Sequence, residues 1–257
     1  MSGLLLRLAA PLQSWGERSA FTPDRDTAPF PTRSALTGMF AAAEGIPRHD
    51  TSALDRYRAL EFTVRIDRPG TRMIDYHTVG GGQPKEKTAA TSGGSNKGAA
   101  VVTRRHYLAD AVFVIAVTGP HDTTTHIAHA LHQPHWSPYL GRRSCVPDEP
   151  LLLRTHAADP VNDLLHHVPL SWDTSRPAPR DGTVPVTFLW EHPPQTADAT
   201  ADIVTVQDMP RSFAPDGRGH DRRRIHRTVQ QLPAQLAAHP HALHQKLIDY
   251  ALEEVPA

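Results

Sequence analysis

The chain begins with an apolar run that is followed by a helical apolar stripe. Residues 4–8 (LLLRL) are nearly continuous in leucine, as in a strand that is buried in the middle of a sheet. A polar, proline-containing stretch follows, and then apolar residues recur at i, i+3, i+4 and i+7, namely Leu36, Met39, Phe40 and Ala43. This spacing predicts an amphipathic helix that Thr32 or Ser34 caps and that ends at Gly45 and Pro47.

Further periodic segments predict more strands and another helix. Phe62, Val64 and Ile66 alternate with polar residues, which is typical of a half-buried strand. The turn signal Pro69-Gly70 predicts that this strand forms a hairpin with residues 73–79. The remaining segments of this region are predicted strands at 101–108, 112–117 and 151–153 and a predicted helix at 123–133.

In this order the elements predict an α+β fold with the plan βαββαβ, the ferredoxin-like plan that RRM-like RNA-recognition domains share. We assign this domain to residues 1–155. Residues 156–230 are predicted to form a smaller, Pro-rich β extension, with strands at 186–190 and 203–206 in a second sheet. Residues 231–257 form a helical tail whose apolar stripe docks on the domain or faces a partner.

Charge is segregated along this chain, although its formal net charge is zero. Between Gly80 and Gly98 the apolar periodicity is lost and glycines accumulate, which predicts a loop between strands. From residue 78 to residue 107 a single acid, Glu86, accompanies five basic residues: Lys85, Lys87, Lys97, Arg104 and Arg105. Residues 211–227 carry six arginines and two aspartates. Such patches suit a polyanion in a groove, and solvated loops are the other interpretation.

Several classes of function are excluded by motifs that the sequence lacks. The single cysteine, Cys145, excludes a disulfide framework and a thiolate metal cluster within the chain. Neither HExxH nor CxxC occurs, and the GxxxxGK[ST] spacing of a nucleotide triphosphatase is missing. No apolar run reaches the roughly 18 residues of a membrane span. We therefore expect a soluble, cytoplasmic protein with no metal, no cofactor and no membrane contact.

Four places combine residue types that can contact RNA. Arg33 and Ser34 stand at the start of the predicted helix, where unpaired amides attract phosphate. Trp15 follows the first strand and can stack on a base or plug the edge of the sheet. Near residue 140 a basic turn carries Arg142 and Arg143.

The fourth place is the predicted strand at 101–108, where alternate side chains point to opposite faces. Arg104 with His106, or Arg105 with Tyr107, can therefore face RNA. The His-Tyr pair together with Lys97 also forms an acid/base set for metal-independent RNA cleavage. An endoribonuclease is the enzymatic alternative, and an adaptor that binds only proteins is a third.

Ordered blocks of this sequence resemble one known family. The blocks are LRLAAPLQSWG at 6–16, FPTRSALTG at 30–38, GI at 45–46, DYHTV at 75–79, RHYLADA at 105–111, PYLGRRSC at 138–145 and PRSF at 210–213. Together they closely resemble the CasD family of subunits of type I-E CRISPR Cascade complexes. The resemblance extends from residue 3 to about residue 227, and the tail beyond Val229 has no counterpart in it.

The resemblance implies an RNA-recognition-type domain with an inserted β-hairpin, the thumb, at residues 78–104. It implies a subunit that caps the 5′ end of CRISPR RNA and holds its repeat-derived handle, without cleaving it. Lys85, Lys87 and Lys97 of the thumb would contact phosphate. The implied neighbours are a CasC-type backbone subunit and a CasA-type large subunit, while a CasE-type subunit cleaves the precursor. Related subunits of type I-C systems are endoribonucleases, so the enzymatic alternative stays open.

Overall fold

The computed structural model describes residues 2–16, 22–80, 84, 100–172, 182–192, 202–214 and 217–253 of the chain. The strands in these ranges are β1 (Ser2–Ala9), β2 (Leu12–Gln13), β3 (Asp24–Arg25), β4 (Glu61–Arg68), β5 (Thr71–Val79), β6 (Val101–Ala109), β7 (Val112–Gly119), β8 (Leu152–Ala157), β9 (Leu170–Ser171), β10 (Thr183–Trp190), β11 (Asp202–Ser212), β12 (Gly219–Pro233) and β13 (Ala237–Ala238). The α-helices are α1 (Arg33–Ala43), α2 (His121–His132), α3 (Pro160–His166) and α4 (Pro240–Leu252), and 3₁₀ helices lie at Ser52–Ala59 and Ala234–Leu236.

Seven strands form the main sheet in the order β11-β12-β10-β4-β7-β1-β8, and each neighbouring pair is antiparallel. The strands predicted at 4–8, 112–117 and 151–153 are confirmed as β1, β7 and β8, and the one that begins at Phe62 is confirmed as β4. Two shorter sheets accompany it, one formed by β13 and β9 and one in which β6 pairs with β2, β3 and β5. The fold is therefore mixed α+β and largely antiparallel.

The apolar run in β1 is explained by a hydrophobic core on each face of the main sheet. Leu4, Leu6 and Leu8 belong to a core that also includes side chains of α1 and α2. Leu5 belongs to a second core, with side chains of α3 and α4. Each of these leucines is 0% exposed. Full burial of one such side chain stabilises the fold by about 1.5–3 kcal/mol, so β1 contributes strongly from both faces.

Helix α1 begins and ends as its sequence predicts. Thr32 is the N-cap, and its Oγ1 accepts a hydrogen bond from the amide of Ala35 at 3.3 Å. Leu36 and Phe40 are buried in the core. Gly45 has a φ of 76°, a conformation that an L-residue with a side chain adopts only with strain. This glycine therefore allows the chain to turn away after the helix.

The predicted hairpin between residues 61–67 and 73–79 is wrong. β5 pairs with β6 instead, because the two edges of β4 are occupied by β7 and β10. The second sheet predicted for 186–190 and 203–206 is also wrong. β10 pairs with β4 and β12 pairs with both β10 and β11, so these strands extend the main sheet.

The strand β4 was predicted to be half buried, yet it is buried on both faces. Arg65 is 0% exposed, and its Nε donates to Asp67 at 2.7 Å. The same guanidinium donates to the carbonyls that surround the end of α3: those of Leu164, Val168 and Pro169. The polar side chains on this face of β4 thus have hydrogen-bond partners inside the protein. The bonds of Arg65 hold the α3–β9 connection against the sheet.

The C-terminal helix α4 docks on the body of the protein. Leu243, Leu247 and Tyr250 are buried in the second core, which decides between the two interpretations of the apolar stripe. The hydroxyl of Tyr250 donates to Asp163 of α3 at 2.7 Å. Among the described helices none has the length and apolarity that crossing a membrane requires.

Candidate nucleic-acid interface

β5 and β6 form a hairpin that is longer than the predicted thumb. Their pairing runs in register from Thr71 opposite Ala109 to Val79 opposite Val101, so it begins seven residues before Thr78. The other edge of β6 pairs with β2 and β3 at the base of the hairpin. The lysines predicted to contact phosphate lie outside the described residues, and their role stays a prediction: Lys85, Lys87 and Lys97.

One face of this hairpin combines exposed apolar and aromatic side chains with basic ones. Tyr76 is 66% exposed and Ile74 is 60% exposed. Tyr76 lies opposite Arg104, and Ile74 lies opposite His106, so the four side chains share one face. Exposed apolar and aromatic side chains beside basic ones are typical of a surface that a ligand or partner covers. We call these four residues the outer face of the hairpin.

The opposite face carries three arginines at the base of the hairpin. Arg105 lies in register with Arg25 of β3, its parallel neighbour. Arg142 stands with its guanidinium carbon 4.5 Å from the ring centre of Tyr107, and its Nη2 donates to the carbonyl of Arg25 at 3.0 Å. We call Arg25, Arg105 and Arg142 the arginine cluster. Asp75 lies opposite Arg105 and offsets part of the positive charge.

A short loop holds Arg142 in this cluster. The amide of Ser14 donates to the carbonyl of Leu140 at 3.1 Å, and the amide of Leu140 donates to the carbonyl of Cys145 at 2.8 Å. Within the described part of the chain, Nη1 of Arg142 is buried and has no hydrogen-bond partner. Arg143 points to solvent beside it. A buried donor without a partner is costly, so this position favours an added acceptor such as a phosphate oxygen.

Trp15 does not have the accessible face that base stacking requires. It is 1% exposed, and its amide donates to Thr27 Oγ1 at 2.8 Å while its carbonyl accepts from the amide of Ala28 at 2.7 Å. The indole belongs to the same core as Leu8 and Phe40. The plug interpretation of Trp15 is therefore correct, and its assignment to RNA is withdrawn.

Arg33 and Ser34 are also internal, being 3% and 8% exposed, so their assignment to RNA is corrected in the same way. The start of α1 does attract an anion, but that anion is a carboxylate of the protein itself. The amide of Arg33 donates to Oδ2 of Asp208 at 2.6 Å, and Nη1 donates to both carboxylate oxygens of Glu191 at 2.7 Å. Nη2 completes the set by donating to the carbonyls of Tyr57, Arg58 and Leu60.

Arg223 closes this buried charge network from β12. Its Nε donates to Asp208 at 2.6 Å and its Nη1 donates to Glu191 at 2.9 Å. Two arginines and two carboxylates therefore balance one another where α1 and the ends of β4 and β10 meet β11 and β12. A sequence gives little sign of such a network, because Arg33 is 158 residues from Glu191 and 175 from Asp208.

The proposed acid/base pair His106 and Tyr107 is split between the two faces of β6. His106 shares the outer face with Tyr76, whereas Tyr107 is 5% exposed beneath Arg142. Two side chains on opposite faces of one strand cannot reach the same phosphate. Among the described residues no group of three or more His, Cys, Asp or Glu side chains is placed to hold a metal ion.

Three residues of this interface, Ile74, Tyr76 and Arg25, were missed in the sequence. Tyr76 lies in the block DYHTV, where the alternation of β5 could have indicated an exposed aromatic side chain. Arg25 lies in a polar stretch without periodicity, and only its pairing with β6 brings it to Arg105. Five predicted residues do lie at this interface: Arg104 and His106 are on the outer face, Arg105 and Arg142 are in the arginine cluster, and Arg143 is next to Arg142.

Comparison with known proteins supports one family. The model of the CRISPR-associated protein (Cas5) family matches residues 3–227. The Cascade subunit CasD of Escherichia coli (strain K12) is 39% identical over an alignment of 185 residues, and the match covers 67% of this chain and 80% of that protein.

Solved structures agree with this match. A chain of a "CRISPR RNA-guided surveillance complex" is 46% identical, with a TM-score of 0.85, and the match covers 98% of this chain and 100% of that one. A second, described as "Crystal structure of Cas protein", is 26% identical with a TM-score of 0.58 over 91% of this chain and 97% of that one. The first match extends over nearly all of the tail beyond Val229, which corrects the expectation that the tail has no counterpart. The chain therefore belongs to the Cas5 family of CRISPR-associated proteins.

Proposed function

We propose that this protein is a non-catalytic subunit of a type I-E Cascade complex that binds and caps the 5′ handle of CRISPR RNA. The observation that carries the proposal is the β5–β6 hairpin, which presents an exposed aromatic and basic face on one side and the arginine cluster on the other. The similarity to CasD and to a chain of an RNA-guided surveillance complex supports it.

The chemistry of the two faces suits a single RNA strand. Guanidinium groups form charge-assisted, often bidentate hydrogen bonds with phosphate, a role that fits Arg104, Arg105 and Arg142. An exposed aromatic ring stacks on an unpaired base whatever its identity, a role that fits Tyr76. The proposal keeps Lys85, Lys87 and Lys97, which lie outside the described residues, as further phosphate contacts. Bases of the handle would then be held on the outer face while phosphates follow the arginines.

The fold of the N-terminal part and the neighbouring subunits are also part of the proposed function. The strand order β8-β1-β7-β4 with α1 and α2 on one face supports a ferredoxin-like, RRM-like domain for the N-terminal part. We propose a cytoplasmic complex in which a CasC-type backbone subunit and a CasA-type large subunit are the neighbours. The apolar side chains on the hairpin suit coverage by such neighbours as well as by RNA.

Replacing Arg104 and Arg105 together with alanine is expected to weaken binding of RNA that carries the handle about tenfold. Loss of two phosphate contacts should reduce the slope of log K against log salt by about 1.4, since a single strand contributes about 0.7 for each phosphate. Fluorescence anisotropy of labelled handle RNA between about 50 and 200 mM salt measures both quantities.

The matched control is the double variant Arg48→Ala and Arg58→Ala, which removes the same charge from exposed positions away from the hairpin. Equal losses in the two double variants would mean that only net charge matters, and the hairpin would lose its assigned role. The same reactions run in EDTA on denaturing gels test the enzymatic alternative. Specific cleavage of repeat RNA that disappears in His106→Ala would replace the non-catalytic proposal.

Replacing Tyr76 with alanine should weaken binding of the same RNA by about 1–3 kcal/mol, the usual contribution of one base stacked on an aromatic side chain. The salt slope should stay unchanged because no phosphate contact is lost. Tyr76→Phe keeps the ring and is the control, with an affinity expected near that of the unmodified protein. A loss in Tyr76→Phe as large as that in Tyr76→Ala would exclude stacking as the role of the ring.

A further inference from the structure

The arginine-rich segment at 211–227 has no part in the hairpin, and four of its six arginines have distinct environments in the structure. Arg223 belongs to the buried charge network. Arg211 pairs with Asp221 at 3.8 Å on the surface. Arg222 and Arg224 are exposed, and no described residue makes an ion pair or hydrogen bond with either guanidinium. These two cations are therefore available to a ligand.

Their shared orientation follows from the alternation of β12. Ile225 is 2% exposed in the first core, and Arg223 points to the same side toward Glu191. Arg222, Arg224 and the partly exposed His226 therefore stand on the opposite face of the strand. On β11 the register places Thr205 opposite Arg224 and Ile203 opposite His226. We call these five residues the β11–β12 strip.

The strip combines positive charge with apolar surface. Its two arginines are two positions apart in an extended strand, or about 6.8 Å between their Cα atoms. Ile203 is 58% exposed beside them. Two nearby carboxylates are already engaged elsewhere, since Asp208 binds Arg223 and Asp221 binds Arg211. The charge of the strip is thus not neutralised by these acids.

We propose that the β11–β12 strip is a second nucleic-acid site, which binds the phosphodiester backbone of a single strand. Guanidinium groups in a row match successive phosphates of an extended strand. The adjoining Ile203 and His226 can contact unstacked bases, which a duplex keeps inside its helix. This site uses no residue of the hairpin, so it does not rest on the proposed binding of the handle.

The test is the double variant Arg222→Ala and Arg224→Ala in the full-length chain. Its probe is a labelled 20-nucleotide oligouridylate, which lacks any handle sequence. The dissociation constant should rise about tenfold, and the salt slope should fall by about 1.4, because two phosphate contacts are lost. The double variant Arg48→Ala and Arg58→Ala removes the same charge and should change the dissociation constant less than twofold.

Several outcomes would overturn the proposal. The strip variant could bind oligouridylate as the unmodified chain does, or no more weakly than the charge control. A loss confined to duplex DNA would exclude a single-strand site, and an equal loss for polyglutamate would indicate an acidic protein surface as the ligand. Because both side chains are exposed, the midpoint of thermal unfolding should not change, which separates lost binding from lost folding.

The proposals for the strip and for the hairpin can be tested separately. In the background of Arg104→Ala and Arg105→Ala, the strip variant should cause the same further tenfold loss for oligouridylate, since sites that share no residue and no partner act additively. A strip effect that vanishes in that background would overturn the independence of the second site. Handle binding that survives the strip substitutions leaves the hairpin proposal intact, whatever happens to oligouridylate.

Discussion

Replacing Arg33 with alanine is expected to lower the free energy of unfolding by about 3–5 kcal/mol, the largest single effect that we anticipate for a charged residue. The substitution leaves Glu191 buried with one arginine instead of two and removes the donor to three backbone carbonyls. A buried acceptor without its donor bears the full cost of desolvation. The midpoint of thermal unfolding should fall by roughly 10 °C in a chain of this size.

The comparison that isolates this effect uses a second arginine that is exposed. Arg58 pairs with Asp55 on the surface, where both side chains are about two-thirds exposed, so Arg58→Ala should cost at most about 1 kcal/mol. Arg33→Lys should also be strongly destabilising, because a lysine cannot donate in the forked geometry that Glu191 and the carbonyls accept. Equal stability of Arg33→Ala and Arg58→Ala would contradict the network.

Replacing Gly141 with alanine should destabilise the protein by roughly 3–5 kcal/mol and also weaken RNA binding. Gly141 has a φ of 83°, and a Cβ at this position would come 1.5 Å from the carbonyl oxygen of Ser14. That overlap with backbone can be relieved only by moving the loop that holds Arg142. Chemical denaturation and handle-RNA anisotropy measure the two consequences.

Cys145 reports on the same loop. Its thiol is buried, and burial raises its pKa, so little reactive thiolate exists near neutral pH. Labelling of this thiol by iodoacetamide should be slow in the unmodified chain and faster in Gly141→Ala. Gly182→Ala is the matched control, since Gly182 has a φ of 68° but no atom within 4 Å of the added Cβ. If both variants lose the same stability, backbone strain and not the clash with Ser14 is responsible.

Local patterns predicted the elements whose side chains pack by simple periodicity. The continuous leucines of β1 indicated burial on both faces, and the stripe of α1 with its Thr32 cap indicated the helix that is observed. The basic character of the hairpin could likewise be recognised from Arg104 and Arg105. These features depend on neighbours within a few residues, so the amino-acid order is sufficient to predict them.

The features that the sequence did not predict depend on contacts with residues that are distant in the sequence. Trp15 and Arg33 looked available for RNA because nothing near them in the sequence shows that the core and Glu191 occupy them. The pairing of β5 with β6 instead of β4 depends on β10, which arrives more than 100 residues later and takes the free edge of β4. By itself, the sequence determined the strands and helices that have a simple apolar period and the positions of the basic stretches. Only the tertiary structure decided which arginines are buried in ion pairs and which face solvent, because that choice depends on carboxylates brought from the far end of the chain.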